Sequence, residues 1–105
     1  MTTATYAGES VELDAEGFFA DPAQWTEAMA PEIAAQEGIA ALTEDHWQVI
    51  KFMRSEYLDK GEGPTVRILG RTSGVPIKEL YRLFPKGPAK TAAKIAGIPK
   101  PRGCI

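Results

Sequence analysis

Cys104 is the only cysteine among 105 residues, and it is the residue here best suited to nucleophilic chemistry. The thiolate is the reactive form of such a side chain, so access and local charge decide its use. Lys100 and Arg102 favour the thiolate, while the α-carboxylate of Ile105 opposes it. With no second cysteine there is no intramolecular disulfide and no zinc site built on cysteine pairs. His46 is the single histidine, which leaves little material for a Cys–His pair or a histidine metal site. No phosphate loop and no serine–histidine–acid set of known spacing occurs. The expectation is a chain without metal or cofactor. Carboxylates such as those in "TED" and "AEG" read as helix caps and solvated surface. The remaining charged candidates are basic. Lys90, Lys94, Lys100, Arg102, Arg67 and Arg71 are candidates for electrostatic steering or partner binding.

Three uses of Cys104 stay open on residue type alone. It is a carrier thiol, an incidental thiol on a loose tail, or a small apolar anchor, since free cysteine packs as a hydrophobe. Prenylation is excluded, because it needs the cysteine four places from the end and only Ile105 follows.

The surrounding residues say how such a thiol is presented. Pro99 and Pro101 bar helix and sheet pairing, and Gly103 adds freedom beside the cysteine. Residues 98–105 are therefore expected to form an extended, flexible C-terminal arm. Eight extended residues span up to ~25–28 Å. Gly97 reads as the cap of the helix before it. That helix opens at Gly87-Pro88, follows one from Pro76 to Phe84, and that follows another from Thr65 to about Thr72. Gly74 separates the last two, which together have helix-turn-helix character. Arg67 and Arg71 share one face of the first of them. Lys90 and Lys94 are likewise four apart.

Upstream, Thr43 caps the longest helix, "TEDHWQVIKFMRSEYLDKG", with Glu44 and Asp45 in the first turn and Gly61 past its end. Trp47, Ile50, Met53 and Tyr57 recur at three and four residues, a core stripe. Asp21-Pro22 starts a helical stretch to Gly38 that Pro31 should break or kink, giving two short helices or one bent one. Val11 and Leu13 alternate with Glu12 and Asp14 after Ala7-Gly8, which predicts a β-hairpin over about 4–14. The fold class expected is mainly α: a small helical body over about 21–96, an N-terminal β-hairpin and the arm. Residues 1–97 form one domain on this reading, and 98–105 the arm.

Charge divides the chain. Residues 1–62 carry thirteen acids and three bases, whereas residues 63–105 carry nine bases and one acid. Either the basic half meets an anionic partner or the two halves attract each other. No apolar stretch of about eighteen residues is present, so no membrane span is expected. The opening "MTTATYAGES" lacks the basic and apolar regions of a secretory signal. A cytoplasmic protein with a reduced thiol is the simplest reading.

Three stretches resemble the DsrC/TusE sulfur-relay family. They are "LYRLFPKGPAKTAAKIAGIPKPRGCI", "LTEDHWQVIKFMRSEYLDKGEGPTVRIL" and "DAEGFFADPAQWTEAMAPEIAAQEGI". The resemblance covers nearly the whole chain and implies an N-terminal hairpin on a small helical body with a flexible arm. It implies that Cys104 carries sulfur as a persulfide, which makes the protein a sulfurtransferase in the sense of a stoichiometric carrier. Two-cysteine members have a second arm cysteine where this chain has Ala93, so the likeness is to single-cysteine, TusE-type members. For these the resemblance implies a TusBCD-like sulfur-donor complex, a tRNA-thiolating enzyme as acceptor, and thiolation of the wobble uridine. The alternative is a partner or regulator of dissimilatory sulfur metabolism with helix-turn-helix DNA binding, for which nucleic acid is the partner.

Overall fold

The computed structural model describes residues 2–101. Arg102 and Cys104 lie outside the described residues. Two strands, β1 (Thr2–Tyr6) and β2 (Glu9–Leu13), form an antiparallel hairpin in which Tyr6 pairs with Glu9 and Thr2 with Leu13. Ala7 and Gly8 both have positive φ, as a two-residue type I′ turn requires. Alternation buries Tyr6, Val11 and Leu13 on one face. The body accepts that face through Tyr6, whose ring stacks on Phe19 and whose hydroxyl donates to Gln36 Oε1 at 3.2 Å.

Residues 21–38 resolve into two 3-10 turns, Pro22–Gln24 and Glu27–Met29, followed by α1 (Ala30–Gln36). Asp21 caps the first turn as expected, its carboxylate accepting from Ala23 N–H. Pro31 neither breaks nor kinks a helix. It occupies the first turn of α1, where a backbone N–H has no intrahelical partner to lose. The segment changes direction before it, at the 3-10 turns.

Helix α2 (Glu44–Lys60) is the long central element. Its start is a capping box in which His46 replaces the usual glutamate. Thr43 N–H donates to His46 Nδ1 at 3.0 Å, so the ring proton lies on Nε2 and is donated to Leu83 O at 2.9 Å. The one histidine is thus a buried structural group that joins the start of α2 to the end of α4 (Ile77–Leu83). Gly61 ends α2 in the left-handed region. Val49, Ile50 and Met53 are buried, and Trp47 and Tyr57 pack at the edge of the core.

Helix α3 (Val66–Thr72), capped by the Thr65 hydroxyl, meets α4 across the turn 73–76. Gln48 of α2 braces this turn by donating to Ser73 O at 2.8 Å. Helix α5 (Pro88–Ala96) runs through the middle and packs on α1, α2, α3 and α4. Ala89, Ala92, Ala93 and Ala96 are each fully buried, because only small side chains admit neighbours on so many sides of one helix. No described helix is long and apolar enough to cross a membrane.

Candidate functional site: the root of the arm

A helix leaves its last four carbonyls without intrahelical partners. At the end of α5 all four are bound. Ile98 N–H donates to Ala93 O at 3.1 Å and Gly97 N–H to Lys94 O at 3.2 Å, the two bonds of a Schellman motif. Trp25 Nε1 donates to Ile95 O at 2.8 Å. Arg54 Nη1 donates to Ala96 O at 2.8 Å. The helix end that launches the arm is therefore held from three directions: by its own cap, by the segment before α1 and by α2.

Arg54 is the centre of this clamp. Its guanidinium lies 4.3 Å from the centre of the Trp25 ring and also reaches Pro22 O at 3.3 Å. Burial lowers its pKa, yet a guanidinium remains charged at physiological pH. Neither role is signalled by the sequence motifs, in which Arg54 is one of three bases in the acidic half of the chain. One signal was present: Arg54 falls four residues after Ile50 and three before Tyr57, so helical phase places it on the apolar stripe.

Gly97 makes the close approach feasible. Its φ is 68°, and a Cβ there would overlap the Trp25 indole. Beyond it, Ile98 is fully buried and Pro101 is buried. A Cβ at Gly63 would lie 2.9 Å from Ile98 Cδ1 and 3.3 Å from the Pro101 ring, so Gly63 is the seat of these residues. The arm expected from residue 98 is thus packed on the body through Pro101. Apolar Ile98 and a bare glycine opposite it explain the difference.

The basic candidates fall into two places. Lys94 is half-buried, with Nζ 5.3 Å from the centre of the Phe18 ring. Lys100 is exposed and pairs with Glu16 at 3.2 Å. Both therefore gather at the 14–18 loop, whose Asp14 carboxylate accepts from Glu16 and Phe18 N–H at 2.9 and 3.0 Å. Lys90 is exposed one turn earlier on α5. Arg67 and Arg71 lie apart from these, on the open side of α3, and line the cleft between α3 and α4. Ala93 is fully buried. Among the described residues no group of three or more His, Cys, Asp or Glu side chains is placed to hold a metal ion.

The α3–α4 pair offers little to the DNA-binding alternative. Arg82 is bound to Glu79 within α4, with contacts of 2.6 to 3.1 Å, which places a carboxylate on the same face.

The family described as "DsrC like protein" matches residues 5–105. The Sulfurtransferase TusE of Pectobacterium atrosepticum is 46% identical over 107 aligned positions, covering 95% of this chain and 97% of that protein. The Sulfurtransferase TusE of an Escherichia coli strain is 45% identical with the same coverage. A crystal structure of dissimilatory sulfite reductase I (DsrI) superposes with a TM-score of 0.87 at 39% identity, covering 99% of this chain and 100% of that one. The oxidized gamma-subunit of dissimilatory sulfite reductase (DsrC) from Archaeoglobus fulgidus does so with a TM-score of 0.80 at 33% identity, with the same coverage. A match over nearly the full chain, in both sequence and backbone, places the protein in the DsrC-like family.

Proposed function

We propose that the protein is a sulfur carrier, a sulfurtransferase that holds one transferable sulfur as a persulfide on Cys104. The observation that carries this reading is that a chain so similar to named sulfurtransferases contains a single thiol, Cys104. In the forward step the Cys104 thiolate attacks the outer sulfur of a donor persulfide. A new S–S bond forms at Cys104, the donor S–S bond breaks, and the donor leaves as a thiolate. The hydrogen of the outer sulfur stays with it or goes to solvent, and no external oxidant is needed. An acceptor thiolate then repeats the attack, taking the outer sulfur and restoring the Cys104 thiolate.

The body contributes position. With Ile98 to Pro101 packed on it, the reach left to Cys104 is three residues, about 10 Å at extended-chain rise. A partner must therefore dock close to Pro101. The charge of Arg102 favours the thiolate, whereas that of Lys100 is offset by its pairing with Glu16. The TusE likeness supports a relay in which a TusBCD-like complex is donor and a tRNA-thiolating enzyme is acceptor, with the wobble uridine as the final target. Ala93 removes any second thiol of this chain from the scheme, so every exchange is with another molecule.

The test is intact-protein mass spectrometry after incubation with a persulfide donor. Wild type should gain the mass of one sulfur atom, and Cys104→Ser should not. Sulfur gain by Cys104→Ser would overturn the reading.

A further inference from the structure

Four large apolar side chains are conspicuously exposed among the described residues, and three of them line one cleft. Ile68, Ile77 and Tyr81 are 39%, 49% and 53% exposed, and all three face a groove of about 910 Å³ between α3 and α4. Gly70 lets the two helices close at the floor, where its Cβ position is 3.2 Å from Ile77 Cβ. Arg67 and Arg71 stand on the rim, and neither makes an ion pair with a described residue. Of the other bases nearby, Lys60 is paired with Glu56 and Arg82 with Glu79, while Lys78 on α4 makes no ion pair with a described residue but lies outside the groove.

We propose that this groove docks an amphipathic acidic segment of the protein that exchanges sulfur with Cys104, apolar side chains down and carboxylates toward Arg67 and Arg71. An apolar floor with a basic rim is complementary to that chemistry, in the helix-in-groove manner. The phosphate backbone of a nucleic acid would leave Ile68, Ile77 and Tyr81 without apolar partners. Position supports the same occupant. The groove continues through Thr65 and Ile68 into a smaller hollow whose wall includes Gly63, the residue on which Pro101 sits. A partner in the groove is thus beside the point from which the thiol is presented. The proposal rests on the carrier reading for the identity of its partner, and not for the groove's binding chemistry.

Two measurements test it on the full chain. The first uses a dye-labelled helical peptide with leucines at i, i+3, i+4 and i+7 and glutamates between, alongside its lysine counterpart. Fluorescence anisotropy should show the glutamate peptide binding at least about tenfold more tightly. Arg67→Glu/Arg71→Glu should abolish that preference, and Tyr81→Ala should weaken both peptides. Equal binding of the two peptides, no binding of either, or tighter binding of a DNA duplex would overturn the proposal. So would self-association in sedimentation that Ile77→Glu abolishes, since a second copy would then be the occupant.

The second measurement separates docking from sulfur chemistry. Persulfide on Cys104 is read by mass spectrometry after expression in the source cell and after treatment of the purified protein with sodium polysulfide. Arg67→Glu/Arg71→Glu should lower cellular loading by about tenfold or more while polysulfide loads it like wild type. Lys78→Glu, an exposed change outside the groove, should alter neither. Wild-type cellular loading in the groove variant would overturn the docking proposal. Failure of polysulfide to load wild type would instead sink the carrier reading and leave the peptide result to decide the groove.

Discussion

The end of α5 and the α3–α4 groove lie on the same small body and are built on opposite terms. At the end of α5 every carbonyl has a donor, a charged guanidinium is packed on an indole, and a glycine is locked against the same ring. In the groove three apolar side chains face outward and two guanidinium groups have no carboxylate partner among the described residues. The first region has its partners within the chain, and the second has partners left to find. For a carrier this division is functional. On the proposed reading, the helix end before the arm is fixed because reach is short, and the groove proposed to meet the exchange partner is open.

That contrast can be broken most severely at Gly97. Gly97→Ala forces a side chain into a left-handed conformation and into the Trp25 ring, and should cost on the order of 3 kcal/mol. Thermal unfolding would show it, and an unchanged midpoint would mean that the clamp is not rigid. Arg54→Ala is next. It leaves Ala96 O without a donor and uncovers the Trp25 face, at about 1–3 kcal/mol in urea denaturation. Arg54→Lys should recover only part of this, because one ammonium cannot cover Ala96 O, Pro22 O and the ring together.

Gly63→Val should act more locally. It should displace Ile98 and Pro101 while the hairpin and α2 keep their spectra, and the NMR shift of the Ile98 methyl groups would report it. On the groove side, Tyr81→Ala and Ile77→Ser should change global stability by no more than about 0.5 kcal/mol, as surface changes do. Larger losses there would make the groove part of the core and erase the comparison.

The smallest effect concerns the hairpin. The Tyr6 phenol has its pKa raised above 10.0 by burial first, and then by the charges of Glu37 and Glu32. A raised folded-state value stabilises the protein fully below pH 10 and less as pH climbs through the folded value. Wild type should therefore lose stability in this alkaline window, and Tyr6→Phe should flatten that part of the profile in pH-dependent unfolding.

Much of this is legible in the sequence, and the legible parts share a cause. Thr43, Gly61 and Gly97 act on backbone groups within four or five residues, so caps and stops could be located from local pattern. The hairpin turn at Ala7-Gly8 is of the same kind. Pro31 departs from expectation because a proline inside an apolar pattern looks like a break. Only the position of the preceding turns shows it to be a first-turn residue. Arg54 with Ala96 and Trp25 with Ile95 join positions 42 and 70 apart in the chain, beyond any local signal. Seven-residue helices such as α3 and α4 are too short for periodicity to say which apolar residues face inward. Leu69 and Leu80 are buried while Ile68, Ile77 and Tyr81 are not.

The amino-acid sequence by itself determined the elements and their ends, the single thiol with its proline- and glycine-rich approach, and the family resemblance. These rest on local backbone chemistry and on residue identity. Only the tertiary structure decided that the arm stays seated on Gly63 as far as Pro101, that Arg54 and Trp25 hold its root, and that Arg67 and Arg71 border an apolar groove beside it. Each of those is a contact between segments distant in sequence, and such contacts exist only once the core has brought the segments together.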